Sequence, residues 1–265
     1  MSIQTVTQGK LEYLVAENIS VPHCFTTRLG GVSKGPLASL NIGMHRGDEP
    51  ENVAQNFRLL GNALGFCETD LVLTRQTHSD IVRRVTKSDH MGLDHHVYPE
   101  CDALITNDPG TALVVFTADC TPILLHDPVT GAVGAVHAGW RGTASALAAK
   151  TVAAMAEHFG TDPKNIRAAI GPNIGFCCFE TDGDVPEAID KYLGGDSEGM
   201  YTRRADGKYM VDLKAANKRR LVQLGLKAEN VDISEECTMC SHDKYWSHRY
   251  TKGLRGTQAA VIVLR

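Results

Sequence analysis

The sequence predicts an α+β fold, a mixed and largely antiparallel β-sheet core flanked by helices. Three observations lead there. Strand-like segments outnumber helical ones. Several of them follow one another without an intervening helix, which argues against a repeated βαβ array. A Pro/Gly turn, Asp127-Pro128-Val129-Thr130-Gly131, separates two apolar runs as a hairpin turn does.

Taken along the chain, the first clear element is a helix over 50–64. Val53, Phe57, Leu60 and Leu64 recur at helical spacing behind Asp48, a residue suited to capping. Strands are expected at Leu71–Thr74, Ile81–Val85, Ala103–Thr106, Ala112–Thr117, Ile123–His126 and Ala132–Val136. One continuous Ala-rich helix is expected over 143–159. Thr143 would cap its start, Leu147, Thr151, Met155 and Phe159 share a face, and Gly160 stops it. A strand at Ile166–Ile170, a helix from Asp212 to Leu224 ended by Gly225, and a strand at Ala259–Leu264 complete the reading. Without repeats or low-complexity linkers, the 265 residues read as a single domain over 1–265.

Composition narrows the partners. Hydrophobic residues make up 43% and charged residues 22%, with a net charge of -4. This balance provides no broad basic face for a nucleic-acid backbone. No apolar run reaches the ~18 residues of a membrane span, and the first residues lack the basic and apolar regions of a secretory signal. The expectation is a cytoplasmic protein with small-molecule partners, no nucleic acid and no membrane. In a reducing cytoplasm its 8 cysteines would be thiols or metal ligands rather than disulfides.

The most informative stretch is TADCTPILLHDPVTGAVGAVHAGWRGT, residues 117–143. A hairpin centred near Val129 places Cys120 and His137 almost opposite each other at its open end, roughly 4.5–5.5 Å apart at Cβ. A thiolate and an imidazole there can share one ion or one proton. Each also has a plainer reading, a buried core thiol and a satisfied polar side chain. His78, between two expected strands, is a third candidate. One Cys and two His match the three protein ligands of an open catalytic zinc site, although their spacing matches no short metal-finger pattern. After His137, Ala138-Gly139-Trp140-Arg141-Gly142-Thr143 leads into a helix. Its amides and Arg141 are a candidate anion site.

At these residues the chain resembles the YfiH-like family, also described as polyphenol oxidase or laccase-domain proteins. The resemblance is carried by FTTRLGGVS and SLNIGMHRGD within 25–48, RQTHSDIV (75–82), CDALITNDPGTALVVFTADCTPILLHDP (101–128), AVHAGWRGT (135–143), AAIGPNIGFCCFE (168–180), VDLKAANKRRL (211–221) and CTMCSHDKYWSHR (237–249). It implies an α+β fold related to toxin deamidases that use a Cys–His pair. It also implies zinc ligands at His78, Cys120 and His137. Two departures stand out. Ser79 replaces a frequent Gly, and Tyr250 follows Arg249 where a second arginine is common.

Two reactions on purine nucleosides are implied. One is phosphorolysis of adenosine, inosine, guanosine or methylthioadenosine, with phosphate as co-substrate. The other is hydrolytic deamination of adenosine to inosine. A three-ligand zinc suits the second because it brings the pKa of water toward 7. Asp119 is a candidate proton donor, or else the cap of a strand end. Arg28, Arg141 and Arg249 are candidate phosphate clamps, since a guanidinium grips oxyanions in a planar fork. Asn41 and Gln76 are candidates for the ribose or base, or else satisfy loop backbone. Two alternatives use the same residues. One is a copper-dependent polyphenol oxidase, although the sequence has no His-x-His pair. The other is a metal-free hydrolase or amidase with Cys120 as nucleophile, acting on peptidoglycan precursors.

Other motifs are set aside. Gly31-Val-Ser-Lys-Gly35 has the spacing of a nucleophile elbow but runs into Pro36, and reads as a glycine turn. His90, Asp94, His95 and His96 read as a polar surface loop. Cys237-x-x-Cys240 with His242 looks like half of a zinc site. Cys177 and Cys178 are adjacent and poorly spaced to complete it, so these thiols are expected to be reduced core residues.

Overall fold

A computed structural model describes residues 3–93 and 98–265; Asp94, His95 and His96 lie outside the described residues. The strands in chain order are β1 (Ile3–Gln8), β2 (Leu11–Ala16), β3 (His23–Thr26), β4 (Leu71–Val72), β5 (Val82–Arg84), β6 (Ala103–Thr106), β7 (Thr111–Thr117), β8 (Thr121–Asp127), β9 (Ala132–Ala138), β10 (Arg167–Ile170), β11 (Glu180–Thr181), β12 (Tyr201–Arg203), β13 (Tyr209–Val211), β14 (Val231–Ile233) and β15 (Gln258–Leu264). The helices are α1 (Pro50–Leu64), α2 (Trp140–Ala144), α3 (Leu147–Phe159), α4 (Asp184–Tyr192), α5 (Leu213–Gln223) and α6 (His248–Thr251).

Two six-stranded sheets form the centre, in the orders β1-β2-β3-β15-β7-β4 and β14-β10-β8-β9-β6-β5. Among the named pairings only β10–β14, β4–β7 and β5–β6 are parallel. The fold class is thus the expected mixed, largely antiparallel α+β arrangement. The strand sequences explain how the sheets are covered. In β15, Ala259, Val261 and Val263 face α1, whose Val53, Phe57, Leu60 and Leu64 pack there. The alternate residues Ala260, Ile262 and Leu264 face the second sheet and meet Leu124, Val133 and Ala135. Both faces are buried, so the strand reads as a continuous apolar run. The far face of the second sheet packs Ile123, Leu125 and Val136 against Leu147, Val152 and Met155 of α3 and Leu221 of α5. Among the described residues, no helix is long and apolar enough to cross a membrane.

Three local expectations are corrected. The helix over 143–159 is broken: α2 ends at Ala144 and α3 begins at Leu147, with Ala146 in the left-handed region at φ 64°. Thr143 does not cap it; the residue is buried and its hydroxyl accepts from Asn217 Nδ2 at 2.9 Å. Asp48 is not the N-cap of α1 either, a position held by Glu49. In the hairpin, Pro122 rather than Cys120 lies opposite His137. The Asp127 carboxylate accepts from the Val129 amide and the Thr130 hydroxyl, which moves the centre of the turn one half-step past Val129. Cys120 therefore lies just beyond the ladder, in the turn between β7 and β8.

Candidate metal centre

His137 is the penultimate residue of β9, Cys120 leaves the turn before β8, and His78 lies on the loop between β4 and β5. Their ligand atoms all fall within 4.8 Å of one another. His78 Nε2 is 3.6 Å from Cys120 Sγ, and the two imidazoles meet edge to face with centroids 5.1 Å apart. A tetrahedral zinc holds nitrogen and sulfur ligands about 3.5 Å from each other, so the donor set suits one such cation with a position left open. Gly139 stands against it: a Cβ there would come within 2.9 Å of Cys120 Sγ and 3.0 Å of His78 Cδ2. Only glycine lets the backbone pass so close.

Two buried aspartates hold the ligands in place. Asp102, at the start of β6, is fully buried. Its Oδ1 accepts from His137 Nδ1 at 2.7 Å and the His78 amide at 3.2 Å. Its Oδ2 accepts from the Thr77 amide and from both the amide and hydroxyl of Ser79. One carboxylate thereby fixes the His137 tautomer, leaving Nε2 for the cation, and anchors the loop that holds His78 at φ 60°. Burial alone would raise the Asp102 pKa, but His137 and Ser79 outweigh it and hold it at about 2. Burial likewise opposes charge on Cys120 and on His137. Their mutual attraction wins, lowering the Cys120 thiol and raising the His137 imidazole, with His78 assisting the first and Asp102 the second.

Asp119 has φ 82° and directs its carboxylate away from the ligands. It accepts from Thr238 Oγ1 at 2.6 Å, Ser247 Oγ at 3.1 Å and the Arg249 amide at 2.6 Å. The carboxylate ties the Cys120 turn to the segments carrying Thr238, Ser247 and Arg249.

The three ligands open onto a cavity of about 430 Å³. Met44, Tyr98 and Phe116 supply apolar wall, and Arg46 and Arg255 line it as well. Both guanidiniums reach the Thr257 hydroxyl at 3.3 Å, so they face one another with no carboxylate paired to either among the described residues. Burial, with the charge of Arg46, lowers the Arg255 pKa to about 10.

The arginines expected from sequence lie elsewhere. Arg28 donates to the Ala38 and His242 carbonyls and stacks on Trp246 at 3.9 Å. Arg249 donates to the Glu180 carbonyl, and exposed Arg141 lies over Trp140 at 4.4 Å. None of the three lines the cavity. Asn41 is buried; it accepts from the Gly43 and Thr257 amides and shapes the wall from behind. Gln76 lines the cavity but spends its amide on Phe116, donating to the carbonyl at 2.7 Å and accepting from the amide at 2.6 Å. Sequence reading missed Asp102, Arg46 and Arg255. The first two sit in motifs already noted, CDALIT and MHRGD, but nothing in their spacing tied them to His78.

Known proteins share this arrangement of the whole chain. The family described as multi-copper polyphenol oxidoreductase laccase matches residues 22–265. A Geobacillus stearothermophilus protein named purine nucleoside phosphorylase YlmD is 38% identical over 240 residues, covering 89% of this chain and 88% of that one. A protein named adenosine deaminase RL5, from an unknown prokaryotic organism, is 34% identical over 91% of this chain and 92% of its own. The crystal structure of YlmD from Geobacillus stearothermophilus superposes with a TM-score of 0.92 at 35% identity, covering 98% of each chain. With its family match running from the third strand to the C-terminal residue, the chain belongs to the multi-copper polyphenol oxidoreductase laccase family, the YfiH-like proteins.

Proposed function

We propose that this protein is a zinc-dependent purine nucleoside enzyme. It phosphorolyses adenosine, inosine, guanosine or methylthioadenosine to the base and the ribose 1-phosphate, and deaminates adenosine to inosine. One observation carries the reading: a three-donor cluster of His78, Cys120 and His137 opens onto a cavity that also holds two arginines, neither of them ion-paired to a carboxylate among the described residues. Relatives named for both activities support it.

Zinc in this set would supply a Lewis acid and bring the pKa of water toward 7, which serves hydrolytic deamination directly. The chain's own residues do the rest. Arg46 and Arg255, converging on Thr257, bind the phosphate dianion bidentately. Met44, Tyr98 and Phe116 take the apolar face of the base. The cavity is within the usual volume for a bound small molecule, about 300–1,000 Å³. Phosphorolysis then needs the phosphate oxygen close to C1′ of the ribose as the bond to the base breaks, and the arginines neutralise the nucleophile's excess charge while orienting it. Asp102 keeps the His137 Nδ1 proton fixed throughout.

A second reading has a specific observation behind it. Asp102, His137 and Cys120 also form an aligned carboxylate–imidazole–thiol series, the arrangement of a metal-free cysteine hydrolase. Peptidoglycan precursors are its substrate class. Metal analysis together with turnover separates the two. Protein purified without a metal-affinity tag is incubated with adenosine and phosphate, with Cys120→Ala alongside. Adenine and inosine formed by the zinc-bearing parent, with turnover at least ~10³-fold lower in the variant, is the expected result. Zinc without nucleoside turnover refutes the substrate. Metal-free protein whose Cys120 alkylates rapidly refutes the zinc reading in favour of the hydrolase.

A further inference from the structure

The four remaining clustered cysteines are not core thiols. Cys177 and Cys178 follow β10; Cys237 and Cys240 follow β14. These two adjacent parallel strands end side by side, and an isolated bridge continues the contact at Asn173 and Cys237. All four Sγ atoms lie within 4.8 Å of one another. Cys240 Sγ stands 3.5 Å from Cys177 Sγ and 3.4 Å from Cys178 Sγ. A zinc–sulfur bond of about 2.3 Å gives a tetrahedral edge of about 3.8 Å, so these separations match the edges of one zinc tetrahedron. Only Cys237 is buried, while Cys177 and Cys240 are exposed, which is not how apolar filler is placed.

The surroundings of Cys237 suit a thiolate. The Gly175 amide donates to Cys237 Sγ at 3.2 Å, and the Met239 and Cys240 amides also point to that sulfur. The Cys-Thr-Met-Cys turn therefore curls its N–H groups around its first thiol. Buried Lys214 donates to the Ser234 and Glu236 carbonyls at 2.6 and 3.0 Å. Burial lowers its pKa, against the attraction of Asp212 first and then of Cys237 and Cys177.

We infer that Cys177, Cys178, Cys237 and Cys240 bind a second, structural zinc ion. It staples two loops to the turn that carries Cys120. The attachment is direct: Ile174 donates its amide to the Asp119 carbonyl at 2.9 Å, Asn173 Nδ2 to Thr121 Oγ1 at 2.7 Å, and Thr238 Oγ1 to the Asp119 carboxylate at 2.6 Å. The four donors complete the tetrahedron, leaving no position for substrate.

The test counts metal site by site. Untagged protein, produced with added zinc and desalted, is expected to carry about two zinc ions per chain. His78→Ala/Cys120→Ala/His137→Ala is expected to keep about one, and addition of Cys177→Ser/Cys240→Ser to remove it. Cobalt(II) loaded into the triple variant is expected to give the intense thiolate charge-transfer absorption of a four-sulfur site, a readout that does not depend on the serine variants folding. About one zinc per parent chain, with neither zinc nor that absorption in the triple variant, would overturn the inference. So would a disulfide among these four cysteines in protein purified under reducing conditions.

Discussion

The two cysteine-containing clusters differ in nearly every respect that decides what a metal site does. The first mixes two imidazoles with one thiol, faces a cavity, and is braced from beneath by Asp102. The second is all sulfur, four-membered, and its buried Cys237 accepts from the Gly175 amide. One offers three donors beside a cavity; the other offers four, enough for a closed tetrahedron. The contrast shows that donor count and support, rather than the presence of cysteine, distinguish a reactive centre from a staple.

Chelation should separate them most sharply. A mild chelator is expected to remove the metal at His78, Cys120 and His137 first, taking nucleoside turnover to background while circular dichroism stays unchanged. Simultaneous loss of both metals would break the comparison.

Asp102→Asn is next. Its carboxylate serves two ligands at once, so metal affinity at the first site should fall by about 10–100-fold, read by competition with a chromogenic chelator, while the four-sulfur site keeps its metal. Acid unfolding supplies the sign. Asp102 is held at about 2 when folded, against roughly 3.9 in an unfolded chain. Its contribution to stability is complete above about pH 4 and is lost as pH falls toward 2. The Asn variant should therefore show a flatter stability curve across that window, followed by urea unfolding at a series of pH values.

Arg46→Ala and Arg255→Ala should each raise the KM for phosphate by about tenfold, in line with about 1.4 kcal/mol lost per charge-assisted contact. KM for the nucleoside should change less. Equal effects on both would remove the arginines from the phosphate end of the cavity. Arg28→Ala is the smallest effect on catalysis. Its guanidinium is committed to Ala38, His242 and Trp246, so KM for phosphate should be unchanged while stability falls by about 1–2 kcal/mol. A raised KM would return Arg28 to the site.

The legible part of this protein is the part where neighbours in space are also neighbours in pattern. Helix α1 matches its expected bounds, 50–64, because its apolar stripe and the stop at Gly65 are local. The strands of the two central sheets from β4 to β10, and β15, were located by apolar runs and turns. The strands β1, β2, β3 and β14 and the small β11-β13-β12 sheet were not; β1 is largely polar, and β3, β14 and the strands of the small sheet span only two to four residues. Cys120 and His137 were brought together by one turn, and His78 by motif resemblance.

By itself, then, the sequence determined the chemistry on offer: which side chains can ligate, which segments must be buried, and where the chain must turn. Only the tertiary structure decided which charges go unpaired. Arg28 and Arg255 are the same residue type, yet one is saturated by carbonyls from elements over 200 positions apart and the other lines the cavity beside Arg46. The four cysteines of 177–240 became a cluster because parallel strands β10 and β14 end together, a pairing that no spacing along the chain encodes. A side chain's role depends on which partners displace its water, and those partners are set by the packing of distant segments.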